Sequence, residues 1–397
     1  MPKPHADDLA TAAVLVLAAM PGPAGTAAIK ALLPEPLRDA TEAQIGAALR
    51  AHPLCVSVAR GLYAYLPQAL DGSRTYLPGP LPAERGVVVL PDEALVLLWP
   101  EGLRRAKAAQ RAAQVRLPDG RQVPWRPERV SATSAPTPEP IARRKGFWLT
   151  CVDAAARRFA IEPCPPPAPE LEALREQRWR DLAASLMRPL QPYAPDLLAR
   201  KLLGAGAYRE DPPCATMADL AARPPFDRKY TVTYRPDLTA AMWRLFSHRS
   251  PMLQEPFTLP PPVARGTIYR LQVRLAYGRW QADLTVEAGH TLEDLHLLLQ
   301  RVLDWDRDHL YAFYLSGRCF DHLTEVACPM AGDALPTTDQ VTFGHFDPAP
   351  GQRFLYLFDF GDEWRFEITV TDRLPTSNLA GEPLCSAASG PPPRQYG

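Results

Sequence analysis

Residues 265 to 397 contain no lysine, and nowhere in the chain does a GxSxG, GxGxxG, P-loop or HExxH pattern occur. Those absences remove the linear signatures of a serine-hydrolase elbow, a dinucleotide-binding turn, a phosphate-gripping loop and a zincin helix. HxH and HxxxH are missing too, so no two histidines have ready metal-ligand spacing. The seven cysteines (Cys55, Cys151, Cys164, Cys214, Cys319, Cys328 and Cys385) are odd in number and include no CxxC pair. That argues against a disulfide framework or zinc ribbon and for free, mostly buried thiols. The one candidate targeting run, Ala10 to Met20, follows Asp7 and Asp8 instead of a basic segment and falls short of the ~20 residues a bilayer crossing needs. A cytoplasmic protein without membrane contact is expected.

Proline and a division of charge are what the chain does have. Its 46 prolines in 397 residues are roughly twice the usual share of about 5% and mark linkers between several domains. Net charge is zero, yet residues 265 to 397 hold 11 arginines against 18 carboxylates, which leaves 33 basic against 26 acidic side chains in residues 1 to 264. From Arg104 to Lys145 there are 11 basic and three acidic side chains. A basic front and an acidic back suit different partners, or each other.

DDLATAAVLVLAAM, GTAAIKALLP and TEAQIGAALRAHP read as three helices, the first with carboxylates at its start and the third capped by Thr41. CVSVARGLYAYLP then forms a hairpin around Arg60-Gly61. Three helices and a hairpin make a winged helix. A similar order recurs at residues 169 to 236, where a long helix precedes PDLLARKLL, TMADLAARPPF and the strand-like RKYTVTYRP, which suggests duplication. Both copies resemble HARE-type winged helices. Between them GVVVL, LVLLW, QVRLP, RQVPW, GFWLTCVD and RRFAIEP read as strands of a small all-β module, with one helix near residues 102 to 113. The expected domains are 1–80, 81–165, 166–257 and 265–397.

In the last of these, IYRLQVRL and RWQADLTVEA form a hairpin. TLEDLHLLLQRVLDW is a helix capped by Thr291 and Asp294, with Leu292, Leu295, Leu299 and Val302 on its sheet-facing side. HLYAFYL, FLYLFDF and EWRFEITV are further strands. The order is that of a β-grasp-like α+β layer, and the whole chain reads as multidomain α+β. The motifs TLEDLHLLLQRVLDWDRDHLYAFYL, FLYLFDFGDEWRFEITV and GPPPRQYG resemble, in that order, the plasmid pRiA4b Orf-3-like family over residues 268 to 397. The resemblance implies a compact α+β domain found on plasmids and in some transposon passenger proteins, and it assigns no biochemical role. Three departures accompany it. The family's Pro-Trp-Arg-Arg stretch is reduced to Arg279-Trp280, Tyr311 stands where a second histidine follows His309, and Phe366 stands where one follows Trp364.

Asp359-Phe360-Gly361 invites comparison with the magnesium-binding DFG of protein kinases, but no glycine-rich loop, strand lysine or HRD loop accompanies it. The plainer reading places Phe354, Tyr356, Phe358 and Phe360 on one strand face, Leu355, Leu357 and Asp359 on the other, and the turn at Gly361-Asp362. A half-buried Asp359 then needs a donor such as His309 or an arginine. Trp305, Asp306, His309, Asp359, Asp362, Glu363 and Trp364 are the candidate interaction or polar site of this domain. A metal-dependent hydrolase centred on His309, Asp359 and Asp362 is the alternative reading. No catalytic residue, cofactor or bound metal is assigned.

For DNA the candidates are Gln44 and Arg50 on the third helix and Arg60 in its wing. Arg104, Arg105, Lys107 and Arg111 follow in the basic segment, and Arg223, Arg228, Lys229 and Arg235 in the second copy. The expectation is a non-enzymatic protein with DNA on residues 1 to 264. A protein partner, or the basic front itself, would meet the acidic domain, and a pure interaction scaffold is the remaining alternative.

Overall fold

The computed structural model describes residues 6–79, 83–84, 87–102, 105–106, 109–129, 132–134, 146–209, 211–246, 258–331, 336–375 and 382–395. They form two compact units, Met1–Arg235 and Pro236–Gly397. No helix of the described residues is long and apolar enough to cross a membrane.

Unit 1 opens with helix α1 (Ala6–Ala19), strand β1 (Ala24–Gly25), helices α2 (Thr26–Leu32) and α3 (Glu42–Ala51), and the hairpin β2 (Cys55–Ala59) and β3 (Leu62–Tyr65). Thr41 caps α3, its hydroxyl accepting the Gln44 N–H at 3.2 Å. Ile45 and Leu49, one turn apart on α3, meet Leu17, Ile29, Leu33 and Tyr63 in a core of their own. Gly61 carries the hairpin turn at φ +71°, where a side chain would be strained. The sheet order is β1-β3-β2.

Helix α4 (Leu66–Leu70) leads into an eight-stranded sheet. Its strands are β4 (Arg74–Pro78), β5 (Ala83–Glu84), β6 (Val87–Val89), β7 (Ala113–Arg116), β8 (Gln122–Arg129), β9 (Ala132–Ser134), β10 (Gly146–Asp153) and β11 (Arg158–Pro163). They run in the order β4-β10-β11-β7-β8-β9-β6-β5. LVLLW, expected as a strand, instead ends helix α5 (Asp92–Leu98), which is buried from Glu93 onward. A segment apolar on every side has no period by which to tell helix from strand. Of the helix expected near residues 102 to 113, the described residues show only Arg105 and Ala106 as helical.

The opening connectivity then returns. Helix α6 (Pro169–Leu186), strand β12 (Pro192–Tyr193), helices α7 (Pro195–Gly204) and α8 (Met217–Ala221), and the hairpin β13 (Phe226–Arg228) and β14 (Val232–Tyr234) repeat helix, strand, helix, helix, hairpin. The order β12-β14-β13 is the same first-third-second arrangement. One hydrophobic core runs from the sheet into this second helical module, joining Trp99, Trp125 and Phe147 with Trp179, Leu198 and Phe226.

Unit 2 is α+β. After helix α9 (Ala240–Phe246), strands β15 (Thr267–Leu275) and β16 (Gln281–Glu287) form a hairpin, followed by helix α10 (Leu292–Leu303). Strands β17 (Tyr311–Tyr314) and β18 (Glu325–Ala327), helix α11 (Phe343–Phe346) and strands β19 (Arg353–Phe358), β20 (Trp364–Pro375) and β21 (Leu384–Ser389) complete it. The seven strands pair antiparallel in the order β18-β17-β19-β20-β15-β16-β21. The Thr291 and Asp294 capping box starts α10 as expected. Leu292, Leu295 and Leu299 are fully buried and Val302 partly so. Phe354, Tyr356 and Phe358 enter the main core, while Leu355 and Leu357 join Ala312 and Tyr314 in a small cluster on the other sheet face.

FLYLFDFGDEW departs from its expected form at its centre. The strand stops at Phe358, Phe360 is 42% exposed, and Asp359 (φ 55°) and Glu363 (φ 52°) are the left-handed residues of the turn, not Gly361. The Asp359 carboxylate accepts the Gly361 N–H at 2.8 Å. Such a local bond is why aspartate tolerates this backbone region better than other side chains.

Candidate nucleic-acid interface

Three of the arginines proposed for DNA contact, from two separate segments, line one cavity of about 230 Å³ in unit 1. Arg50 comes from the end of α3, and Arg105 and Arg111 from the segment between α5 and β7. Arg200 joins them from α7 and His52 from the α3–β2 turn. Hydrogen bonds fix Arg50, Arg200 and Arg111 in place. Arg50 Nη1 donates to the Tyr63 hydroxyl at 2.6 Å, and Gly46 makes room for that pair. A Cβ at position 46 would stand 2.9 Å from the Tyr63 oxygen and 3.1 Å from Arg50 Nη1. Arg200 Nη1 donates to the Pro100 carbonyl, and Trp99 Nε1 donates to the Arg111 carbonyl at 3.0 Å.

Among the described residues, Glu101 is the one carboxylate lining the cavity. Its Oε1 already accepts from Arg157 at 2.8 Å and from Arg111 at 3.4 Å. Its Oε2 is buried without a partner among the described residues. Burial holds Arg200 below the usual guanidinium range and the neighbouring Arg105 adds to this, while Asp196 and Glu101 oppose it. Positive charge therefore exceeds negative in a concave, partly dry place, and guanidinium forks match phosphate oxygens in geometry.

The other candidates are dispersed. Gln44 is exposed on α3, but its Oε1 accepts the Thr41 N–H at 2.8 Å and the Thr41 hydroxyl at 3.0 Å. Arg60 is exposed at the first hairpin turn and Arg228 and Lys229 at the second. Arg223 is paired with Glu176 at 2.9 Å. Arg235 is only 2% exposed: it follows β14, its N–H donates to Pro225, and it offers no surface to a nucleic acid. Arg104 and Lys107 lie outside the described residues. Within the basic segment, Arg116 pairs with Glu162 at 3.4 Å and Arg121 with Asp119 at 2.7 Å.

Sequence reasoning missed several residues here. Arg200 and His52 look like ordinary helix-face and turn residues until the fold brings them to Arg50. Tyr230, 84% exposed beside Lys229 whose Nζ lies 5.8 Å from its ring centre, is an aromatic at a hairpin turn. A second basic cavity, about 350 Å³, is lined by Arg175, Arg178 and Arg209 with Trp179 and Asp211.

Of the polar set expected in unit 2, His309 lies near Asp359 and Trp305 packs on Trp364, while Asp306 and Glu363 bond to residues outside the set. His309 lies between two carboxylates, Nδ1 3.6 Å from Asp359 and Nε2 3.6 Å from Asp308. It is thus the neighbour that Asp359 was expected to need, at a distance longer than a hydrogen bond. Trp305 packs on Trp364 with ring centres 5.2 Å apart, and its indole donates to the Pro393 carbonyl at 2.9 Å. Asp306 gives its N–H to Gln395 at 2.6 Å, Glu363 pairs with Arg365, and Asp362 is exposed. Among the described residues no group of three or more histidine, cysteine, aspartate or glutamate side chains is placed to hold a metal ion.

A polar row runs along the inner side of α10. Glu293 accepts from the Tyr311 hydroxyl and, at 2.6 Å, from Thr338. His296 and Gln300 meet the Tyr356 hydroxyl at 2.7 and 2.9 Å.

No curated protein matches the chain. A crystal structure of a protein of unknown function, MM3350 from Methanosarcina mazei Go1, is 23% identical and covers 32% of this chain and 70% of its own, with a TM-score of 0.27. Residues 267–396 match the model of the family described as Plasmid pRiA4b ORF-3-like protein, and the C-terminal third of the chain is therefore similar to that family.

Proposed function

We propose that unit 1 is a nucleic-acid-binding unit of two winged-helix modules around a β-sheet, and that phosphates enter the cavity of Arg50, Arg105, Arg111 and Arg200. The gathering of those four arginines around one cavity with a single carboxylate among its described lining residues carries the reading. The repeated helix, strand, helix, helix, hairpin order supports the winged-helix assignment. Arg60 at one hairpin turn and Arg228, Lys229 and Tyr230 at the other stand where wings meet backbone or minor groove. Because Gln44 is engaged in capping, recognition rests on backbone charge more than on base edges. Unit 2, acidic and β-grasp-like in element order, recruits a protein partner in the cytoplasm and has no catalytic role.

Fluorescence anisotropy of the full-length protein with a labelled mixed-sequence duplex tests this across a salt series. The logarithm of the association constant should fall linearly with the logarithm of salt, by about 0.9 per phosphate neutralised. The Arg50→Gln, Arg105→Ala double variant should make that slope shallower by about two. Binding that ignores salt, or a variant with the parent slope, overturns the proposal.

A further inference from the structure

We infer that Cys164 and Cys214 form a peroxide-responsive thiol pair that closes to a disulfide across the second helical module. Their sulfurs lie 3.3 Å apart although the residues are 50 positions apart in sequence. Both are partly accessible, and no other pair of thiols is in contact among the described residues.

The segments that carry them are stiff and anchored. Cys164 sits between Pro163 and Pro165 and donates its N–H to Gly146 at 3.1 Å. Cys214 follows Pro212-Pro213 and donates its N–H to Glu172 at 2.5 Å. Proline fixes φ, so neither backbone has much freedom to carry its thiol away. A disulfide sets its sulfurs about 2.05 Å apart, so closure draws the two sulfurs nearer.

The two thiols are not equivalent. Burial raises both, and Cys214 is raised further than Cys164. Arg74 and Arg175 favour a Cys164 thiolate, and Glu172 opposes it. Cys164 is therefore the attacking sulfur and Cys214 the resolving one.

With hydrogen peroxide as oxidant, the Cys164 thiolate attacks one peroxide oxygen. The O–O bond breaks, hydroxide leaves and takes up a proton as water, and Cys164 becomes a sulfenic acid. Cys214 sulfur then attacks the Cys164 sulfur, the S–S bond forms, the S–O bond breaks, and hydroxide leaves with the Cys214 proton as a second water. Two thiols are oxidised and one peroxide is reduced. The closed bond ties the linker after β11 to the segment before α8, enclosing α6 and α7. It also fixes Pro212 and Pro213, which line the cavity of Arg175, Arg178 and Arg209.

Reduced full-length protein treated with a small excess of hydrogen peroxide should lose two of its seven thiols. Peptide mapping should find one cross-link, between the Cys164 and Cys214 peptides, that dithiothreitol reverses. In Cys214→Ser the reaction should stop at a Cys164 sulfenic acid that dimedone captures. Seven thiols surviving, a cross-link through another cysteine, or only intermolecular cross-links would overturn the inference. The mapping uses the parent protein, so it decides the matter even if the variant folds poorly.

Discussion

Glu93 Oε1 accepts the backbone N–H of Met217 at 2.9 Å, across 124 positions of sequence. Glu93 stands in the first turn of α5 and is 3% exposed, and Met217 opens α8 behind its Thr216 cap. The carboxyl thereby satisfies one of the N–H groups that a helix start leaves without an internal partner. It also joins the helix buried against the sheet to the second helical module inside one continuous core.

A pH dependence follows from that burial. Desolvation pushes the Glu93 carboxyl from 4.5 up to about 7, against the pull of its backbone hydrogen bonds. Between those two values the folded chain keeps a proton that the unfolded chain has released. The contribution is therefore full below pH 4.5 and lost as pH rises to about 7, at up to ~1.4 kcal/mol per pH unit. Glu93→Gln keeps an acceptor for Met217 and cannot titrate. Urea unfolding between pH 4.5 and 8 should show the parent weakening relative to the variant, and parallel curves would refute the assignment.

His296 should act in the opposite direction in unit 2. Its ring lies on Tyr311 with centres 3.7 Å and planes 3° apart, and burial, with Arg307 adding to it, lowers its pKa to about 3. Between 6.5 and about 3 the unfolded chain gains a proton that the folded chain refuses. Stability is therefore present above pH 6.5 and is lost as pH falls through that window. The His296 ring protons in an NMR titration should hold their positions from pH 8 to 4.5 while exposed histidines shift. A midpoint near 6.5 would show the ring is not shielded as its packing implies.

What could be read from the sequence was local. Thr41, Thr291 and Asp294 announce helix starts because capping chemistry acts within four residues. Leu292, Leu295 and Leu299 announce a buried face because helix period does the same. Contacts between distant segments left no such trace. Arg200 reaches Pro100 across 100 positions, so the basic cavity exists only once α7 packs beside the segment after α5. Gln44 illustrates a subtler failure: a polar residue on an exposed helix face looks free to read DNA, but it completes the box that caps its own helix. Glu293, His296 and Gln300 follow helical spacing, and polar residues at that spacing are ordinarily a solvated face. Here they face Tyr311 and Tyr356.

The turn at Asp359 gives a test of backbone chemistry. With φ 55°, its side-chain bond to Gly361 and its backbone bonds to Leu310 and Glu363 define how β19 passes into β20. Asp359→Asn keeps an oxygen for the Gly361 N–H and should cost less than ~1 kcal/mol. Asp359→Val forces a β-branched residue into the left-handed region and should cost roughly 2–3 kcal/mol. Thermal unfolding of both variants checks the order. Equal losses would mean that the charge beside His309, not the backbone conformation, is what the position supplies.

Gln395 ties GPPPRQYG to the segment between α10 and β17. Its Oε1 accepts the Asp306 N–H at 2.6 Å, and its Nε2 donates to the Asp306 carbonyl at 3.1 Å and to Asp308 Oδ1 at 3.0 Å. Two residues earlier the Pro393 carbonyl takes the Trp305 indole N–H. The segment thus closes over the end of α10 with directional bonds at an 8% exposed glutamine. Net values of about 1 kcal/mol per hydrogen bond put Gln395→Ala at roughly 2–3 kcal/mol. Its clearest mark should be local, because the Asp306 amide has its donor bond to this side chain. Hydrogen exchange over residues 304–309 should therefore quicken at least tenfold in the variant while β15 and β20 keep the parent rate. Quickening across the whole sheet would instead make Gln395 part of the global folding unit, and no change would deny it any role in holding the segment.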